Sequence, residues 1–296
     1  MGKRLFLLLW GMGMAVSLAG QAFDEFYDRL ESYQKKVELE REKDESVGVR
    51  LNAKTFDVGE YMDIFSKLSV LPGWRIECVY WSNGRGGRPL LYGWEEACDR
   101  KKIIRRWREE KWETNLESLR KILDKNKLSQ NERRKRERNF RRAYAPFLTD
   151  ESVMVTYALD STNSPLRILV PEDCEMGYFQ LLMFDLYADN FALFWHALYG
   201  YRFLIRNKAQ IEFLIQENRK ESFDVCFEEQ KMLPLLEMDV TPKVVLEQDR
   251  CVITIYAFYA GSGVCRETYS IPRKAPCAIT REKSECLVKN GFRGVY

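Results

Sequence analysis

Residues 99–142 carry 18 Lys/Arg against 8 Asp/Glu, and no globular fold buries a segment of that charge, because unpaired ions cannot leave water. The stretch must be solvated structure. Two capping boxes, Thr114-x-x-Glu117 and Ser129-x-x-Glu132, satisfy orphan N–H groups at helix starts. They predict three helices, near residues 95–112, 115–127 and 130–143, with Pro146 closing the last. The densest part, residues 131–142, reads NERRKRERNFRR, with Trp107 and Trp112 close in sequence.

The rest of the 296-residue chain is compositionally ordinary, with 46% hydrophobic and 31% charged residues. A mean hydropathy of −0.40 excludes a multi-span membrane protein, since each span needs about 20 nearly uncharged residues. Phe23, Phe26, Leu30, Tyr33 and Val37 recur at helical spacing. A short helix is expected within residues 57–68, ended by Pro72-Gly73. Residues 74–81 (WRIECVYW) read as a strand, turned at Asn83-Gly84 and returning through residues 90–94.

Residues 152–160 (SVMVTYALD) and 166–170 (LRILV) flank Ser-Thr-Asn-Ser-Pro and read as a second hairpin. The apolar block 176–215 reads as one or two buried helices, and after Pro234 the period becomes strand-like. Residues 243–247, 251–259 and 264–271 form an expected antiparallel meander. Helices and strands are segregated rather than alternating, so the fold class is α+β. It comprises a helical N-terminal half with a short hairpin and a C-terminal half of antiparallel sheet around buried apolar helices. The boundaries expected are 1–22, 23–148 and 149–296.

Lys3 and Arg4 precede a 12-residue apolar run, 5–16, and then small residues through Ala22. This is the pattern of a secretory signal peptide over residues 1–22, too short for a span. It places the mature chain in the periplasm or outside the cell, with no transmembrane span. Without Lys3 and Arg4 the formal charge of +3 becomes +1, so the chain outside 99–142 is acidic.

An oxidising compartment makes disulfides the default state of the eight cysteines. Eight cysteines allow 105 pairings; local spacing nominates Cys78–Cys98 and Cys277–Cys286. No C-x-x-C occurs and the chain has one histidine, so no metal site is assigned and no cofactor is named.

Two sets of residues carry chemistry. In the basic stretch, Arg105, Arg106, Arg133, Arg134, Lys135, Arg136, Arg141 and Arg142 form a candidate polyanion-binding surface. The competing reading is a solvated, internally paired face, because charges alternate in sign near Arg105–Lys111. For an exported protein the partner is an acidic glycan, an anionic lipid surface or another protein, with nucleic acid disfavoured.

The second set is Asp185, Asp189 and His196. On one continuous helix they lie within about 40° of one another, a geometry for metal- or acid/base-assisted hydrolysis. If the helix restarts after Asp189-Asn190, that geometry fails. No Gly-x-Ser-x-Gly or His-Glu-x-x-His occurs. The sequence therefore points first to an exported binding protein and second to such a hydrolase.

Overall fold

The structure is a computed structural model that describes residues 22–37, 39–40, 56–82, 86–126, 128–187, 191, 193–194, 202–220 and 225–291. Apart from residue 22, the expected leader lies outside them. The chain forms two compact units. One comprises Met1–Ser69, Ser82–Arg88 and Leu169–Tyr296, the other Val70–Trp81 and Pro89–Ile168.

The second unit is built on residues 74–81 of β2 (Trp74–Ser82) and 89–95 of β3 (Gly86–Glu95), with helices α3 (Arg100–Lys125), α4 (Gln130–Tyr144) and α5 (Asp150–Leu159). Its core joins Val79, Tyr92 and Trp94 of these strands to Ile104 of α3 and Val153, Met154 and Tyr157 of α5. Tyr157 meets Tyr92, Trp94 and Trp107 with ring centroids 5.4, 5.6 and 5.5 Å apart. Each such ring withdrawn from water contributes about 1.5–3 kcal/mol. Beside this core Glu77 accepts from Tyr92 and from Arg100, each through Oε2, and is ion-paired with Arg75. Burial pulls the Glu77 carboxyl upward, but the hydrogen bonds from Tyr92 and Arg75 and the Arg100 charge prevail and hold it below its ordinary value.

In the first unit, α1 (residues 22–37) buries Phe23, Phe26, Leu30, Tyr33 and Val37, the stripe its spacing predicts. Phe23 and Phe26 pack on Phe179 of α6 (Glu175–Tyr187), at 4.7 and 6.1 Å. The helix α2 (Val58–Ile64) is capped by Asp57 and adds Tyr61 to the same aromatic group. Arg206 ties α1 down: it ion-pairs with Asp24, Asp28 and Glu31 and lies 5.0 Å over the Tyr27 ring. Strand β1 (Leu68–Val70) pairs with β4 (Leu169–Pro171).

The main sheet is antiparallel. Its strands are β6 (Arg202–Ile205), β7 (Lys243–Leu246), β8 (Arg250–Tyr259), β9 (Gly263–Pro272) and β10 (Thr280–Lys289). The order is β10-β9-β8-β6, and β7 lies along the other half of the β8 edge that β6 uses. Helix α7 (Lys208–Arg219), capped by Asn207, packs Ile211, Leu214 and Ile215 against Ile205, Tyr256 and Phe258. The expected α+β class and the meander are both present.

Several local expectations change. Residues 100–125 form one helix, not two. Thr114 does not cap but donates its hydroxyl to the Glu110 carbonyl at 3.0 Å, inside the helix, and Asp99 caps the start. The Ser129–Glu132 capping box does form.

The expected second hairpin is replaced by α5, whose buried Val153, Met154 and Tyr157 lie at helical spacing behind the Thr149 cap. Leu166 sits in a 3₁₀ turn, and the strand after it pairs with β1.

Neither expected disulfide is formed: Cys78, Cys98, Cys277 and Cys286 all carry free thiols. The run Thr280–Cys286 is extended strand and covers about 20 Å. The three residues back to Cys277 recover at most about 10 Å of it, so Cys277 and Cys286 exceed the about 7 Å limit for a bridge. Cys78 lies within β2, whereas Cys98 follows β3 and donates to Glu95 instead.

Candidate functional site

Helix α4 has no buried residue. What holds it is a strip of contacts to α3: Arg120 pairs with Glu137 and Arg133 with Asp124, and Asn115 donates to the Tyr144 hydroxyl at 3.0 Å. Phe140 and Tyr144 stack at 5.3 Å, and Trp112 of α3 lies 5.9 Å from Phe140. These positions define the inward face of α4.

The solvent side follows from 3.6 residues per turn. Arg141 borders the inward face, and with Arg134, Arg138, Arg142 and Lys135 it makes an arc of about 120°, running about 12 Å along the axis, that neither Glu132 nor Glu137 enters. All five side chains are exposed. Among the described residues none of the five has a carboxylate partner; Arg141 instead lies 5.1 Å over the Trp112 ring. Four of the five are arginines, whose planar fork matches the oxygens of sulfate, phosphate and carboxylate groups.

Next to this arc, in the same unit, an open and mainly apolar cleft of about 380 Å³ is lined by Arg108, Glu109, Trp112, Glu113, Arg141, Ala145 and Leu148. Phe147, just beyond α4, is 69% exposed.

The residues expected to bind a polyanion divide. Arg134, Lys135, Arg141 and Arg142 stand on the arc. Arg133 is held by Asp124, Arg106 by Glu110, and Arg136 lies on the Glu132 side, where its charge helps lower the Glu132 carboxyl. Arg105 is exposed on α3 and is not part of the α4 arc. The internally paired reading thus holds for part of the stretch. Arg138 was not nominated from sequence; Trp112 was, as an aromatic beside the basic stretch, and it stands against Arg141. A helical projection of α4, anchored at its capping box, would have found Arg138.

In the first unit the most concentrated buried polar group is Glu267, 1% exposed. Its Oε2 accepts from Tyr259 and from Tyr269 at 2.8 Å, and its Oε1 from Arg281 at 3.0 Å and Ser284 at 3.4 Å. Arg202 donates to the Tyr259 hydroxyl at 2.9 Å. A carboxylate offers about four lone-pair sites, and here four donors fill them. The arrangement leaves no acceptor for a substrate, so Glu267 is a structural node. Burial pushes both phenols far above their ordinary range, and the hydrogen bond to Glu267 adds to it; the Arg202 charge opposes both.

No single described helix carries the expected trio of Asp185, Asp189 and His196: α6 spans Glu175–Tyr187, and Leu193–Phe194 form the short strand β5, paired with Gly86–Gly87. Asp185 is an exposed residue of an otherwise buried helix end, and Asp189 and His196 lie outside the described residues. Among the described residues no group of three His, Cys, Asp or Glu side chains is placed to hold a metal ion. No helix among them is long and apolar enough to cross a membrane.

No protein-family model matches this chain, and neither a curated protein nor a solved structure shows significant similarity to it.

Proposed function

We propose that this protein is an exported binding protein that docks the outward face of α4 on a polyanion, an acidic glycan or an anionic lipid surface. The observation that carries the reading is the arc of Arg134, Lys135, Arg138, Arg141 and Arg142, exposed and unpaired among the described residues. Several arginines elsewhere on α3 and α4 are matched to acids, Arg106 to Glu110, Arg120 to Glu137 and Arg133 to Asp124, while Arg105 and Arg136 are exposed singly outside the arc. A helix that binds nothing gains nothing from leaving five like charges on one face, since they repel one another. Export rests on the N-terminal pattern of Lys3, Arg4 and the apolar run after them.

The test is retention on heparin and co-sedimentation with vesicles containing phosphatidylserine, each against salt. Binding to either that weakens steeply with salt, and that is lost when the five arc residues become Gln, supports the reading. Absence of binding to both, or binding indifferent to the five substitutions, overturns it. Phe147→Ser separates the two ligands. An exposed aromatic beside a basic helix inserts into a lipid interface, so its loss weakens vesicle binding and leaves heparin retention unchanged if lipid is the target.

A further inference from the structure

Strands β9 and β10 bring together two cysteines that sequence spacing did not pair. Cys265 and Cys286 are directly opposed in the antiparallel ladder, so their side chains leave the same face of the sheet. Opposed residues in such a ladder have Cα atoms about 4.5 or 5.5 Å apart, and both values lie inside the range a disulfide spans. The two thiols interact directly across the ladder. Both sulfurs also sit beside the turn that joins β8 to β9, with Cys286 donating to the Ser262 carbonyl at 3.5 Å and Cys265 to that of Gly263 at 3.9 Å. No other two cysteines are opposed in any ladder of the main sheet; Cys251, for example, faces Ile271 and Leu246.

We infer that Cys265 and Cys286 form a reversible disulfide site, closed by exchange with a low-molecular-weight disulfide such as oxidised glutathione. Cys286 is exposed and Cys265 is 5% exposed, so the oxidant reaches Cys286 first. The Cys286 thiol gives its proton to solvent and attacks one sulfur of the small disulfide. That S–S bond breaks, and the leaving thiolate takes up a proton. Cys265 then loses its proton, attacks the Cys286 sulfur of the mixed disulfide and expels the second small thiol. Two protein thiols are oxidised and one small disulfide is reduced to two thiols.

Burial, with the neighbouring Cys286 thiol adding to it, pushes the Cys265 thiol up to about 12. That makes it a poor nucleophile toward a disulfide in solution; the second step is favoured because it is intramolecular, the mixed disulfide on Cys286 being held directly opposite Cys265. Closure staples β10, the edge strand of the sheet, to its neighbour.

The experiment treats the full chain with oxidised glutathione, then quenches it in acid for intact mass and non-reducing peptide mapping. The expected product has lost two hydrogens, joins the peptides containing Cys265 and Cys286, and reopens with dithiothreitol. Its thermal midpoint rises by about 5–10 °C, the effect of closing a loop of roughly 20 residues. Cys286→Ser, at an exposed site, yields no link, and Cys265→Ser stops at the glutathione adduct on Cys286. A wild-type chain that accumulates the stable adduct instead, or that joins a different pair first, overturns the inference. The outcome is independent of polyanion binding, which involves no cysteine.

Discussion

The Tyr269 phenol donates to the Glu267 carboxylate at 2.8 Å, two residues back on the same face of β9. With Tyr259, Arg281 and Ser284 it fills the acceptor sites of a carboxylate that no water reaches. Removing the centre of such a network strands its donors. Glu267→Ala is expected to cost about 3–5 kcal/mol of stability, measured as a lowered urea midpoint at unchanged slope. Glu267→Gln keeps the volume and two acceptor lone pairs and costs less. A loss below about 1 kcal/mol for the alanine variant would refute the structural role.

Buried phenols, the two on Glu267 and Tyr178 of α6, set an alkaline limit. Burial, with the hydrogen bond to Asp173 second, pushes the Tyr178 phenol up to about 12, and Tyr259 and Tyr269 are driven upward by burial more strongly still. A raised phenol pKa means the folded state holds the proton more tightly than the unfolded chain. The associated stability is complete below the unfolded value of about 10 and drains as pH rises through the folded one. For Tyr178 that window is about pH 10 to about 12, and each buried tyrosine contributes a slope near 1.4 kcal/mol per pH unit there. Denaturant midpoints should hold level from about pH 8 to 10 as far as these phenols are concerned, then fall. Tyr178→Phe should lessen the fall.

Gly263 opens β9 at φ 109°, and a Cβ there would stand 2.0 Å from the Val288 carbonyl oxygen. Both the backbone conformation and the close approach of β10 demand glycine. Gly263→Ala is expected to cost about 2 kcal/mol or more, read by chemical denaturation. Gly73, with φ 79° and open space around its Cβ position, is a matched control in which the strain acts without the clash. Its alanine variant should lose less, about 1 kcal/mol.

What the sequence revealed and concealed divides along physical lines. Strands β8 and β9 were legible because central strands carry β-branched and aromatic runs, and the short outer strand β7 (KVVL) because of its two valines. Strand β10 (TREKSECLVK) was not, because an edge strand is protected by charge and looks like a loop. Helix α5 was read as a strand from Val153, Val155 and Thr156, whose β propensity yielded to the Thr149 cap and the burial of one face. The candidate binding face was legible in total charge but not residue by residue. Ion pairs such as Arg133–Asp124 and Arg120–Glu137 depend on how α3 and α4 meet, and spacing alone does not give that.

Those ion pairs make the binding proposal sharper than net charge can. If charge count alone governed polyanion binding, any two arginines of the basic stretch would be equivalent. If the exposed arc governs it, Arg138→Gln with Arg142→Gln should reduce affinity and flatten the salt dependence. The slope of log affinity against log salt should drop by about 1 for each contact removed. Arg120→Gln with Arg133→Gln removes the same formal charge but breaks pairs with Glu137 and Asp124. That variant should leave the salt slope nearly unchanged and show its effect as a stability loss, about 0.2–1 kcal/mol per surface pair. Heparin titrations of both double variants at several salt concentrations decide between the two accounts. Equal slopes for both would mean that charge count governs binding and that the arc has no special role.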